Sequence, residues 1–176
     1  MRDYLIDTNI WEYWFNPKQK PFHSNVLNSV EKVKREENRL WISVITWGEI
    51  EYGYGSMKEK ERSLETEFRQ FVNDQSPVVF DIDKHVTKAY GEIRAKLFER
   101  YGPEEKKRKG KQPEQLIDPV TATELGVQEN DLWITAQALT KDLILVTNDK
   151  KLIRPITEIL GDKLKTENWA EQQIED

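Results

Sequence analysis

Four acids in this chain sit where a carboxylate needs a reason to be. Asp7 ends the apolar run Tyr4-Leu5-Ile6, and Asp149 ends Leu145-Val146-Thr147-Asn148-Asp149. The two runs share one pattern, an apolar strand and then acid, hydroxyl and amide side chains, ordered Asp7-Thr8-Asn9 in the first and Thr147-Asn148-Asp149 in the second. A carboxylate at the end of a buried strand is costly unless it caps a helix or binds something. Glu49 and Asp131 each fall at the start of an expected helix, after Ser43-Val44-Ile45-Thr46 and within Asn130-Asp131-Leu132-Trp133. Each acid could serve as a cap. For Glu49 the case is the capping-box spacing with Thr46, backed by the favourable helix dipole. Taken together they form a set of oxygen donors with no soft ligand, which is the chemistry of Mg²⁺ or Mn²⁺. Four converging carboxylates without a cation would raise each other's pKa. The reaction suggested is phosphodiester hydrolysis. A bound metal would lower the pKa of a water and neutralise charge on the phosphate. Thr147 and Asn148 are placed to orient that water or the phosphate, with Thr8 and Asn9 assisting. Their alternative role is capping the helices that begin there.

The elements that must position these residues alternate. A strand at 3–7 leads into a helical aromatic segment, Ile10-Trp11-Glu12-Tyr13-Trp14-Phe15, stopped by Asn16-Pro17. Five large apolar groups in six residues suit either a core helix or a face turned to a partner. A helix over 24–38 with Ser24 as N-cap carries the stripe Val26, Leu27, Val30 and Val33. Leu40 to Ile45 reads as a continuous buried strand. Helices follow from Thr46 and over 57–73, the latter with Leu64, Phe68, Phe71 and Val72 inward. Pro77 to Phe80 begins a third strand, Asp83 caps a helix over 84–101, and Asp118-Pro119 resembles another helix start. A helix opened by Asn130-Asp131, a strand at 143–146, a helix at 150–160 that Pro155 interrupts or restarts, and an edge strand at 163–167 complete the order. Such alternation predicts an α/β sandwich of three layers around a mainly parallel sheet of about five strands. In such sheets ligands bind at the carboxyl ends of the strands, where strand order reverses. All four acids can reach that end.

Composition bounds the rest. The chain has 176 residues, which suits a single domain over 1–176. With 37% hydrophobic and 34% charged residues, the expected surface is densely charged. The net charge of −5 means that a polyanion partner needs a local basic patch or a bound cation. The one concentrated basic stretch is Lys106-Lys107-Arg108-Lys109-Gly110-Lys111, inside a loop-like insertion at 102–127. It reads equally as a solvated loop or as a phosphate-contacting flap. There are no cysteines, which excludes disulfides and thiolate metal sites and fits a reducing cytoplasm. No signal-like start and no membrane-length apolar run is present. His23 and His85 lack a second histidine at ligand spacing and read as surface residues.

Two other chemistries place an aspartate after a first strand. Haloacid-dehalogenase-like phosphatases want a second aspartate two positions on, where this chain has Asn9. Response-regulator receivers want an acidic pair at the first strand, where Asp7 stands alone, and a phosphoacceptor near the third, for which Asp81 lacks the pair.

Leu5-Ile6-Asp7-Thr8-Asn9, Ser43-Val44-Ile45-Thr46-Trp47-Gly48-Glu49, Asn130-Asp131-Leu132-Trp133-Ile134 and Leu145-Val146-Thr147-Asn148-Asp149 resemble the successive motifs of PIN domains, most closely the VapC-like toxin branch of type II toxin–antitoxin systems. Arg94 within Glu92-Ile93-Arg94-Ala95 fits as well. The resemblance implies a metal-dependent endoribonuclease with the first strand central in its sheet. It implies Asp7, Glu49, Asp131 and Asp149 as the metal-site acids. An RNA substrate, a cognate antitoxin and a homodimer are implied too, and Ile10–Phe15 could serve the antitoxin groove or the dimer face. The chain departs from the pattern in its long link at 102–127 and in the bulk of Trp47 and Trp133. The alternatives are a non-catalytic RNA-binding module of the same fold, in which the acids are caps and the basic loop grips RNA, and a DNA-directed nuclease.

Overall fold

The computed structural model describes residues 3–57, 62–104 and 110–171. Lys106 to Lys109 of the basic run lie outside them. In chain order the elements are β1 (Tyr4–Ile6), α1 (Thr8–Phe15), α2 (Phe22–Arg35), β2 (Leu40–Ser43), α3 (Val44–Gly55), α4 (Arg62–Asp74) and β3 (Val78–Phe80). They continue with α5 (Lys84–Tyr101), α6 (Glu129–Thr140), β4 (Ile144–Val146), α7 (Lys150–Leu160) and β5 (Lys165–Glu167). The five strands form one sheet in the order β3-β2-β1-β4-β5. β1 runs parallel to both β2 and β4, with Leu5 level with Trp41 and with Leu145. The expected parallel sheet with a central first strand is therefore present. Strand order reverses at β1, so the carboxyl ends of β1 and β4 frame the crevice such sheets use for ligands.

The chain divides into two compact units. The first holds residues 1–81, 143–148 and 166–176; the second holds 82–142 and 149–165. In the first unit the core is aromatic. Trp11 is fully buried and stacks on Trp14 with centroids 5.2 Å apart. Phe68 and Phe71 of α4 meet Phe15 and Trp14 of α1. Trp169, also fully buried, lies 5.2 Å from the Tyr4 ring. Offset and tilted aromatic pairs add about 0.5–1.5 kcal/mol each beyond the area they bury. Ile10, Trp11 and Trp14 thus serve the core, while Tyr13 and Phe15 are half-buried. In the second unit α5 packs against α6 and α7, contributing Val86, Ile93 and Leu97. Asp83 caps α5 by accepting from the backbone N–H groups of His85 and Val86.

Several local readings change. β2 ends at Ser43 rather than continuing through Val44-Ile45. The Ser43 hydroxyl accepts from Ile45 N–H at 2.9 Å and starts α3, so a cap overrides two β-branched residues. α2 begins at Phe22, before Ser24, because the Phe22 ring packs 4.8 Å from Tyr13 and holds the first turn. Leu27 and Leu64, expected inward, are exposed at 38% and 40%. Asp118-Pro119 does not open a helix. Asp118 accepts from Val120 and Thr121 N–H and closes a turn that brings Ile117 back alongside Glu124. α7 runs through Pro155 without a break. Among the described residues no helix is long and apolar enough to cross a membrane.

Candidate active site

The crevice at β1 and β4 is built around Asp7, only 4% exposed. Asp7 follows β1 and N-caps α1. Its Oδ1 accepts from Thr8 N–H at 2.7 Å. Its Oδ2 accepts from Asn9 Nδ2 at 2.6 Å and from the Thr147 hydroxyl at 2.7 Å. Three donors, one of them from the end of β4, hold the carboxylate in one orientation. Hydrogen bonds to an ionised acceptor contribute about 1.5–3 kcal/mol each. That offsets the cost of burying the charge.

A continuous polar network spreads from Asp7. The Thr8 hydroxyl donates to Glu49 Oε2 on α3. Asn9 Oδ1 accepts from Asn148 N–H at 3.1 Å, and Asn9 Nδ2 also lies 3.2 Å from the Thr147 hydroxyl. Asn148 Nδ2 donates to Tyr13 Oη at 3.3 Å, and Asn148 Oδ1 accepts from Asn168 Nδ2 at 2.9 Å. Thr147 is fully buried with its hydroxyl committed to Asp7, so it orients that carboxylate and has no surface to offer a substrate. Tyr13 and Asn168 belong to the network although sequence reasoning did not single them out. Tyr13 had a signal, since it follows Asn9 by one helical turn and shares its face. Asn168, beyond the edge strand, had none.

Glu12 is a further acid of this unit, one turn beyond Thr8 on α1. The residue is exposed as a whole, yet desolvation of its carboxyl raises the pKa, and the charge of Glu49 raises it further. Like charges therefore crowd near Glu49, where a divalent cation would relieve them.

The remaining acids lie in the second unit and act there as caps. Asp131 Oδ2 accepts from Gln128 N–H at 2.9 Å, the third-residue arm of a capping box that starts α6. Asp149 Oδ1 accepts from Lys151 and Leu152 N–H at 2.8 and 3.3 Å and starts α7. The alternative reading of Glu49, a capping box with Thr46, does not hold, because the helix starts too early for it. α3 begins at Val44 with Ser43 as its cap, so Thr46 lies inside the helix. The buried Thr46 hydroxyl has no hydrogen-bond partner among the described residues. Within either unit, no three described acids or histidines gather closely enough to hold an ion. In kind, the donors suit Mg²⁺ or Mn²⁺: carboxylate oxygens with no thiolate or imidazole among them.

Arg94 lies on α5 of the second unit. It pairs with Glu129 in the first turn of α6 and stands over the Phe98 ring. Trp133 stacks on Tyr90 with centroids 3.8 Å apart and planes 3° from parallel, so its bulk is used between helices.

Comparison with known proteins adds an independent line. Residues 4–156 match the sequence model of the PIN domain. A protein of Rickettsia felis named Ribonuclease VapC2 is 26% identical over 166 residues, covering 94% of this chain and 97% of its own length. A Haemophilus influenzae protein of the same name is 26% identical over 170 residues, covering 97% of this chain and all of its own. The crystal structure of VapBC2 from Rickettsia felis bound to a DNA fragment of its promoter superposes with a TM-score of 0.64 at 26% identity, covering 94% of this chain and 98% of the matched one. A structure of VapBC-1 from nontypeable Haemophilus influenzae, at 21% identity, has the same fold with a TM-score of 0.66 over 96% and 98% of the two chains.

Proposed function

The chain belongs to the PIN-domain family, and on that premise we propose that it is a metal-dependent endoribonuclease, the toxin of a toxin–antitoxin pair. The observation that carries the reading is the buried Asp7, held by three donors at the carboxyl end of the central strand. Relatives of nearly the same length named ribonucleases support it, as does the likeness to toxin–antitoxin complexes. The match over 4–156 supports treating residues 1–176 as one PIN domain with an insertion at 102–127.

We read Asp7, Glu49, Asp131 and Asp149 as the residues that would hold Mg²⁺ or Mn²⁺. When bound, the ion supplies charge neutralisation at the phosphate and a more acidic water. The protein's own groups do the rest. Asn9 and Thr147 fix Asp7, and Thr8 fixes Glu49. Water attacks phosphorus and gives its proton to a carboxylate of the set. The phosphorus–oxygen bond to the leaving ribose oxygen breaks, and that oxygen is protonated from solvent. The partners we propose are RNA, an antitoxin protein and a second copy of the chain. The cytoplasm, which the cysteine-free composition suits, is the proposed place of action.

The test is the Asp7→Asn variant. It should melt as a folded protein and lose Mg²⁺- or Mn²⁺-supported cleavage of single-stranded RNA. Cleavage at the wild-type rate would sink the site. Running single-stranded DNA beside RNA separates a DNA nuclease from a ribonuclease. RNA binding without turnover in the wild type would favour the non-catalytic module.

A further inference from the structure

The insertion at 102–127 is where the sequence departs from its family pattern, and its stretch 113–127 has a definite form. Pro113, Leu116, Leu125 and Val127 are buried. Leu125 N–H donates to Leu116 O at 2.8 Å and Asp118 N–H to Thr123 O at 2.9 Å, closing a short hairpin. Between that hairpin and the start of α7 lies a cavity of about 280 Å³, wholly within the second unit. Its walls carry three cations, Lys150, Lys151 and Arg154, and the hydroxyls of Thr121 and Thr123.

The two acids on the walls are not equivalent. Asp118 is 4% exposed, accepts two backbone N–H groups and pairs with Arg154 at 2.7 Å. Its charge is used in holding the hairpin to α7. Glu124 is exposed and would oppose an incoming anion. Lys151 is held in place by the end of the hairpin. Gly126 has φ +70°, and a Cβ there would meet Lys151 Cδ at 3.1 Å, so the glycine lets the lysine stem lie against the backbone. Lysines, an arginine and paired threonine hydroxyls around a recess are the donors that contact backbone phosphates. Lys150 and Lys151 also follow Asp149 directly in the chain.

We propose that this cavity binds a backbone phosphate of the RNA strand. The inference rests on the ribonuclease reading and adds to it a substrate contact supplied by the insertion. It is tested with the full chain in EDTA, where no turnover occurs, by titrating a short fluorescent single-stranded RNA over a range of salt concentrations. Lys150→Gln with Lys151→Gln should weaken binding several-fold at low salt. The slope of log affinity against log salt should become shallower by about 0.7, the value for one phosphate on a single strand. Glu124→Gln should tighten binding, a gain that a merely structural residue would not give. Thr121→Val with Thr123→Val removes the hydroxyls at little cost in shape and should weaken binding too. An unchanged slope in the lysine variant, or no tightening in Glu124→Gln, overturns the proposal. If the wild type still cuts RNA in that event, the ribonuclease reading stands and only the cavity's role falls. Inorganic phosphate separates the two sources of the anion. A lysine-dependent rise in melting temperature with phosphate alone, without any lysine effect on RNA binding, would mark a small-anion site and overturn the strand contact.

Discussion

Thr147→Val removes one hydroxyl and almost no volume. In the folded chain that hydroxyl is completely buried and donates to Asp7 Oδ2 at 2.7 Å. Asp7 would be left with the Thr8 backbone N–H and the Asn9 amide. A hydrogen bond to a charged group is worth about 1.5–3 kcal/mol. For a domain of this size each kcal/mol moves the melting temperature by about 2–4 °C. The expected fall is therefore roughly 3–12 °C, measured in EDTA so that no ion compensates. A cycle with Asp7→Asn identifies the partner. In that background the hydroxyl faces a neutral amide, and the same substitution should cost about 0.5–1.5 kcal/mol. The cycle should thus show a coupling of about 1 kcal/mol or more. A loss under about 0.5 kcal/mol in the wild-type background, or no coupling, would refute the role of Thr147 as the group that holds Asp7.

Other outcomes follow from the same geometry. The folded pKa of Glu12 is raised, so the folded state binds its proton more tightly and stability falls as pH rises from the unfolded value through the raised one. Glu12→Gln should raise the melting temperature at pH 7, and the gain should vanish at pH values below the unfolded carboxylate range; thermal melts over a pH series read this. Asp118 moves the other way, held low chiefly by the Val120 backbone N–H. Its contribution is present above the unfolded pKa and is lost as pH falls through the folded one. Asp118→Asn should therefore be less stable than wild type at pH 7, with the gap closing in acid. Gly102→Ala would put a Cβ 2.3 Å from the backbone oxygen of Phe98. The last turn of α5 would have to shift, at roughly 1–3 kcal/mol by urea unfolding.

The middle of the sheet was legible because β1, β2 and β4 are mostly buried on both faces. Leu5-Ile6, Leu40 to Ile42 and Ile144 to Val146 are apolar without alternation, as strands covered by helices on both sides must be. Asp83 was legible as a cap because capping is a local event. The start of α3 was misread because Val44-Ile45 favour a strand by type, while the decision belonged to the Ser43 hydroxyl beside them. The hairpin at 113–127 was not legible as a hairpin. Asp118-Pro119 is compatible with a turn and with a helix start alike, and the Arg154 side chain on α7 that pairs with Asp118 is too far along the chain for spacing to register. By spacing alone Glu49 was the most ordinary of the four acids. In the structure Asp7, Asp131 and Asp149 cap helices, while Glu49 accepts from the hydroxyl of Thr8, forty-one residues away. Spacing along the chain cannot register such a partner.

The first unit is assembled from three separate stretches of chain, the third of which begins at Thr166. Trp169 packs on Tyr4, Ala170 accepts from Asn25 Nδ2, and Asn168 holds Asn148. β1 leaves the ribosome long before its neighbour β4 and the residues that secure Asn148. Domains generally fold as units as they are made, and here the unit carrying Asp7 cannot close until the stretch around Trp169 has been synthesised. The groups that hold Asn148 beside Asp7 are therefore completed only at the end of translation. Chains arrested before residue 165 should remain protease-sensitive around Asp7 and without nuclease activity.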